Sequence, residues 1–261
     1  MTAYIDGHCH LNSEEFETDL LLHLDRARAA GVGRMLVVGT DEASSWKALE
    51  MARTYGERGV WAAVGVHPHD ALSVAQGLPR SLWDLASCSD VCAVGEIGLD
   101  YHYEYSPRSI QREVLIEQLE WAREVDRPVV FHVREAFDDF FAILRDNPVS
   151  RAGGVVHCFT GTWTQAKACL DLGLYLGFGG MITFKKADNL RSCLAGAPLD
   201  RIILETDSPW LAPVPYRGKL NTPAFMPLIY GAAAQVTGHS EETVVRAVWD
   251  NAMDLYGWGT R

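Results

Sequence analysis

The chain has 261 residues, 48% apolar, 22% charged and 10% aromatic, a composition able to bury a large core. No apolar run approaches the roughly 18 residues of a membrane span, and MTAYIDGH at the N-terminus shows no secretion-signal pattern, so a cytoplasmic protein without membrane contact is expected. A formal net charge of −11 opposes long-range attraction to polyanions, so a nucleic-acid substrate would need local help from cations or a few basic residues.

Short β-rich runs alternate with amphipathic stretches along the whole chain. A first strand is expected at 3–6, followed by a helix at 17–30 in which Leu20, Leu21, Leu24, Ala27 and Ala30 keep the rhythm of one buried face. Strands at 34–39, 60–66 and 91–96 lead into helices at 43–55, 80–87 and 107–125. Strands at 128–132, 153–157 and 174–179 lead into helices at 135–145, 164–172 and 187–195. An eighth strand at 201–205 precedes two helices, 223–236 and 241–255. Asn, Asp, Gly and Pro fall between the elements, with no repeat or long linker. Eight βα units predict one domain over 1–261 of the α/β class, a (β/α)8 TIM-like barrel, with an open doubly wound sheet as the alternative. The six cysteines are scattered without a C-x-x-C pair and read as reduced thiols.

A barrel collects its reactive residues where strands end and βα loops begin. Six of the nine histidines fall there: His8 and His10, His67 and His69, His132, and His157. So do two acidic pairs, Glu96 with Asp100 and Glu205 with Asp207. Imidazoles and carboxylates gathered on one rim are costly to desolvate unless paired or metal-bound. Residues two apart on a strand project to the same side, so His8 and His10 can converge on one cation while Gly7 and Cys9 point away. Four histidines and two carboxylates exceed the needs of one tetrahedral site. They divide between two divalent cations if Glu96 offers one oxygen to each: His8, His10 and Asp207 complete one site, His132 and His157 the other. Such a pair suits in-line displacement at phosphorus.

The segments DGHCHL, GVHPH, GEIGLDY, FHVREA, HCFTG, LETDSP and PYRGKLNTP, in this order over nearly the whole chain, resemble the TatD-type metal-dependent deoxyribonucleases of the amidohydrolase-like barrel superfamily. The resemblance implies a (β/α)8-like barrel, a divalent metal centre and phosphodiester hydrolysis on DNA, in some members from the 3′ end. It implies the same ligand positions, His8, His10, Glu96, His132, His157 and Asp207. Gly7 departs from the family, which more often has Thr or Ser there.

Catalysis by a metal-activated hydroxide is then expected, with Asp207 as ligand and proton acceptor and Glu96 as the bridge. His67 is expected to contact a substrate phosphate or to complete the metal shell. Arg217 and Lys219, after strand eight, are candidates for substrate binding. Glu205 is a candidate for orienting a ligand or holding a further cation, Asp6 for bracing the first strand, and Asp100 and Arg134 for substrate or supporting roles on the rim. The cation can be Mg, Mn or Zn, the expected partner is DNA, and no obligate protein partner is evident. Two alternatives remain: hydrolysis of a cyclic amide, ester or aminoacyl bond, and a metal-binding scaffold without turnover.

Overall fold

The computed structural model describes residues 3–258, over which eight strands alternate with nine helices. The strands are β1 (Tyr4–Cys9), β2 (Val32–Val38), β3 (Val60–Val64), β4 (Val91–Asp100), β5 (Val129–Arg134), β6 (Gly154–Val156), β7 (Tyr175–Phe178) and β8 (Ile202–Leu204). Between them run α1 (Leu20–Ala29), α2 (Glu42–Tyr55), α3 (Arg80–Ala86), α4 (Arg108–Glu124), α5 (Phe137–Asp146), α6 (Trp163–Asp171) and α7 (Asp188–Gly196). The helices α8 (Met226–Thr237) and α9 (Glu241–Tyr256) follow β8.

Strands such as VWAAV in β3 and IIL in β8 are apolar at every position, the pattern of a parallel sheet covered on both faces. All neighbours pair in parallel, in the order β1 to β8. The seam is closed by a parallel bridge between Cys9 and Ser208, with the His10 N–H donating to the Ser208 carbonyl at 2.7 Å. The Asp207 N–H donates to the His8 carbonyl at 2.9 Å across the same seam. The sheet is therefore a nearly closed barrel, as predicted, rather than an open one. Large side chains such as Phe131, Trp121 and Tyr230 are fully buried in the core. Capping boxes start α2 (Asp41 with Ser44) and α6 (Thr162 with Gln165), where the side chains satisfy otherwise orphaned N–H groups. Among the described residues no helix is long and apolar enough to cross a membrane.

Three strands run past their expected ends. β1 continues to Cys9, and β4 and β5 continue to Asp100 and Arg134, because Gly98, Leu99 and Asp100 pair with His132, Val133 and Arg134. The glycines and charged residues that read as a stop are tolerated inside the ladder, where neighbouring strands supply the hydrogen bonds. The expected buried face of the first helix is also displaced. Leu21 is exposed, while His23, Leu24 and Ala27 point inward, and His23 Nδ1 lies 3.3 Å from Thr222 Oγ1.

Candidate metal centre

β1 divides its side chains by facing. A Cβ at Gly7 would press onto Ile203 Cγ2 of β8, and Cys9 Sγ donates to the Leu36 carbonyl at 3.3 Å. The alternate positions, His8 and His10, bring their Nε2 atoms to 3.0 Å from each other. His10 Nδ1 lies 3.1 Å from the Val38 carbonyl, which can only accept, so Nδ1 carries the hydrogen and Nε2 is the atom aimed inward. Asp6 faces the seam: its Oδ1 accepts from the Thr206 N–H at 2.9 Å and its Oδ2 from Thr206 Oγ1 at 2.6 Å. It thus ties β1 to the end of β8, a bracing position, and burial pushes its carboxyl up to about 7.

Glu96, on β4 and almost wholly buried, lies between two groups of donors. Its Oε2 is 3.3 Å from His8 Nε2 and 3.6 Å from His10 Nε2. Its Oε1 is 2.7 Å from His157 Nε2, 2.9 Å from His132 Nδ1 and 3.4 Å from His67 Nε2. Asp207 Oδ1 completes the first group, 3.5 Å from His10 Nε2 and 3.8 Å from His8 Nε2. Asp207 sits in the left-handed region at φ 56°, a conformation Asp tolerates better than most residues, at the turn leaving β8. All six expected ligands thus meet in one cluster.

Burial alone would raise the Glu96 carboxyl, but the surrounding His157, His67 and His8 imidazoles hold it well below the usual carboxylate range. Asp207 is likewise lowered against burial, chiefly by its bond to His10. Burial lowers His8 and takes His67 down to about 4. Burial alone would lower His157, but the Glu96 and Glu205 carboxylates together raise it well above its ordinary value. Two anionic carboxylates with imidazole nitrogens converging on them form a mixed nitrogen and oxygen donor set that fits a divalent cation such as Zn or Mn.

The outer nitrogens of two candidate ligands are held, His10 Nδ1 by the Val38 carbonyl and His132 Nε2 by Asp100, while His8 Nδ1 and His157 Nδ1 have no hydrogen-bond partner among the described residues. Asp100, expected on the rim, is fully buried: its Oδ2 accepts from His132 Nε2 at 2.9 Å and from His69 Nε2 at 3.0 Å. Its Oδ1 accepts from the N–H groups of His102 at 3.0 Å and Tyr103 at 2.9 Å. With the hydrogen on Nε2, His132 turns a bare Nδ1 toward Glu96. Glu205 is also buried; its Oε1 accepts from the Cys158 N–H and lies 3.6 Å from His157 Nδ1, so it stands behind the ligands. His67 Nδ1 accepts from the His69 N–H at 3.1 Å, which leaves Nε2 as the protonated nitrogen of its neutral ring and therefore a donor.

Arg217 and Lys219 are not brought to this cluster. Both are exposed, the Arg217 guanidinium lies 4.5 Å over the Phe184 ring, and the Lys219 side chain makes no hydrogen bond or ion pair among the described residues. The loop after β8 carries them outward through a turn in which the Lys219 N–H bonds the Tyr216 carbonyl at 2.9 Å. The Arg134 guanidinium lies 4.7 Å over Tyr103. His69, expected on the rim, shares Asp100 with His132. Three residues beside the cluster are not marked in the sequence: Trp210 packs 5.2 Å from the His10 ring, and Tyr103 and Tyr105 lie 5.5 and 4.7 Å from His69. Aromatic residues placed directly after GLD and ETDSP are the only signal that could have marked the last three.

The family described as TatD related DNase matches residues 5–257 of this chain. The chain is 38% identical over 251 residues to the uncharacterized metal-dependent hydrolase YabD of Bacillus subtilis, covering 96% of this chain and 98% of that protein. It is 36% identical over 253 residues to the 3′-5′ ssDNA/RNA exonuclease TatD of Klebsiella pneumoniae, covering 95% of each. The crystal structure of YJJV, a TatD homolog from Escherichia coli, superposes with a TM-score of 0.89 at 29% identity, over 99% of this chain and 100% of that one. The geometry of the cluster and these likenesses agree: the chain belongs to the TatD-related DNase family of metal-dependent hydrolases.

Proposed function

We propose that this protein is a divalent-metal-dependent deoxyribonuclease that cleaves phosphodiester bonds of DNA from the 3′ end, acting as a single domain. The observation that carries the reading is Glu96, whose Oε2 faces His8 and His10 and whose Oε1 faces His132 and His157. His8, His10, Asp207 and Glu96 Oε2 would hold one cation, and His132, His157 and Glu96 Oε1 a second, each Mg, Mn or Zn. Two such cations, when bound, supply charge neutralisation at a phosphoryl oxygen and lower the pKa of water.

The chain supplies the rest. Asp207, whose side chain is 13% exposed, is the most accessible carboxylate of the cluster and takes the proton released from the attacking water. The His67 Nε2–H donates to a non-bridging phosphate oxygen, a role its tautomer favours over metal ligation. Asp100 and Glu205 position His132 and His157, and Asp6 holds β1 in register with the end of β8. Arg217 and Lys219 would meet the strand farther out, beyond the cluster. The name of the Klebsiella relative supports polynucleotide cleavage from the 3′ end. The cytoplasm is the proposed compartment, in keeping with six free cysteines.

Hydrolysis of a cyclic amide, ester or aminoacyl bond is the second reading, and the net charge of −11 favours it. The deciding experiment is digestion of 3′- and 5′-labelled single-stranded and duplex DNA by protein reconstituted with Mg, Mn or Zn, with Glu96→Ala as control. Stepwise shortening from the 3′ end, lost in the control, is expected. Turnover of small esters or amides with intact DNA in every metal refutes the nuclease reading.

A further inference from the structure

Five aromatic side chains are exposed among the described residues, and four of them, Tyr103, Tyr105, Trp210 and Tyr216, sit on the loops after β4 and β8. Large rings left in water beside a polar centre mark a binding surface. In the closed order of eight strands, β4 and β8 lie half a circuit apart, so these rings stand on opposite sides of the mouth with the donor cluster between them. On one side Tyr103 and Tyr105 are parallel, their centroids 5.4 Å apart and their planes 9° apart, and both meet the His69 ring at its edge. On the other side Trp210 packs against the His10 ring, 61° out of plane.

These rings are presented on fixed backbone. The Tyr103 N–H is held by the Asp100 carboxylate that also holds His132. The Trp210 N–H donates to the Asp207 carbonyl at 3.0 Å, and its own carbonyl accepts from Asn221 Nδ2 at 2.6 Å. Even so, Tyr105 is 66% exposed and Trp210 53%. Aromatic rings bury roughly 150–250 Å² when packed, a gain forgone here beside the cluster, where Trp210 is tied to Asp207 and Tyr103 to Asp100. The overall charge points the same way. With a net charge of −11, phosphate contacts alone hold a strand weakly, whereas stacking on an aromatic face needs no positive charge.

We propose that the Tyr103–Tyr105 pair and Trp210 are two base-stacking platforms that take unpaired bases on either side of the scissile phosphodiester. The inference rests on the nuclease reading and adds the means by which an acidic protein holds a single strand: one base on each platform and the phosphate between them, over Glu96. A duplex hides its base faces in its own stack, so the platforms select single strands.

The test is a double-mutant cycle between ring and base. Tyr105→Ala and Trp210→Ala are each assayed on an oligodeoxynucleotide and on strands with one abasic residue on either side of the cleaved bond. Removing a ring, or the base it holds, lowers kcat/KM by roughly 5–150-fold, the equivalent of one stacked base. Removing both costs no more than either alone, and Tyr105→Phe and Trp210→Phe retain most of the activity. Additive losses, or ring variants with unchanged kcat/KM, overturn the proposal. Fluorescence of a strand carrying 2-aminopurine, read in EDTA, tests the platforms without turnover. Quenching by the unaltered protein that falls in both alanine variants supports them even where no strand is cut, an outcome that refutes only the nuclease reading. Quenching that is absent, or equal in all three proteins, overturns the platforms themselves.

Discussion

Asp100→Asn changes one atom and keeps the shape of the side chain, yet it should weaken the metal centre from behind. The Asp100 carboxylate accepts four hydrogen bonds, from His132 Nε2 at 2.9 Å, His69 Nε2 at 3.0 Å, and the N–H groups of His102 and Tyr103. An amide oxygen can keep the two backbone donors, but its NH2 then faces two imidazole N–H groups. His132 must move its hydrogen to Nδ1, the atom 2.9 Å from Glu96 Oε1, where a ligand needs a bare lone pair. Loss of such supporting partners typically costs about 10–100-fold in metal affinity, or roughly 1.4–2.7 kcal/mol. The two lost charge-assisted bonds carry a comparable energy each, about 1.5–3 kcal/mol, so part of the loss should also appear as lower stability of the metal-free protein. Calorimetric titration of metal into apo protein should show one class of site weakened by that factor and the other nearly unchanged. Thermal melting of the apo form reports the stability. Unaltered affinity at both sites would refute the tautomer argument and leave Asp100 as a structural residue of the β4 loop.

Four further outcomes follow from the same contacts. Glu96→Ala should lower the metal bound, read by elemental analysis, and abolish hydrolysis; an unchanged metal content would remove the bridging role. Asp207→Asn should lower kcat at least about 100-fold, in the range for loss of a positioned general base, so unchanged turnover would assign the proton elsewhere. Gly7→Thr should destabilise the protein by about 1–3 kcal/mol, because the new Cβ meets Ile203 Cγ2, and Ile203→Ala should recover part of that loss in denaturant melts; a neutral Gly7→Thr would show that β1 and β8 can separate freely.

The fourth concerns pH. In the metal-free protein the folded Asp6 carboxyl stands at about 7 against 3.8, so the fold favours its neutral form, and the stability this contributes is present below about 4 and lost as pH rises toward 7. Asp6→Asn removes the titration and should gain on the unaltered protein across that window in chemical denaturation; parallel pH profiles would refute it.

The eight-unit pattern is legible in the sequence because strands such as Val91–Val94 and Ile202–Leu204, buried on both faces, need continuous apolar runs. The candidate ligands are legible because reactive side chains at strand ends have no place in an apolar core, and because the His8 and His10 spacing sets their common side. Other features depend on which strands meet. The continuation of β4 to Asp100 exists only because His132, Val133 and Arg134 of β5 lie alongside. The burial of Asp100 and its hold on both His132 and His69 then follow from three separated segments coming together. The same holds for the His67 tautomer, set by one N–H two residues away once the HPH turn has formed. Trp210 and the Tyr103–Tyr105 pair read as ordinary loop aromatics until the barrel closes and sets them across one mouth. Residue type and spacing are local, so the sequence alone determined the strand count and the list of candidate ligands. Hydrogen-bond partners, exposure and facing depend on contacts between distant segments, and those only the tertiary structure decided.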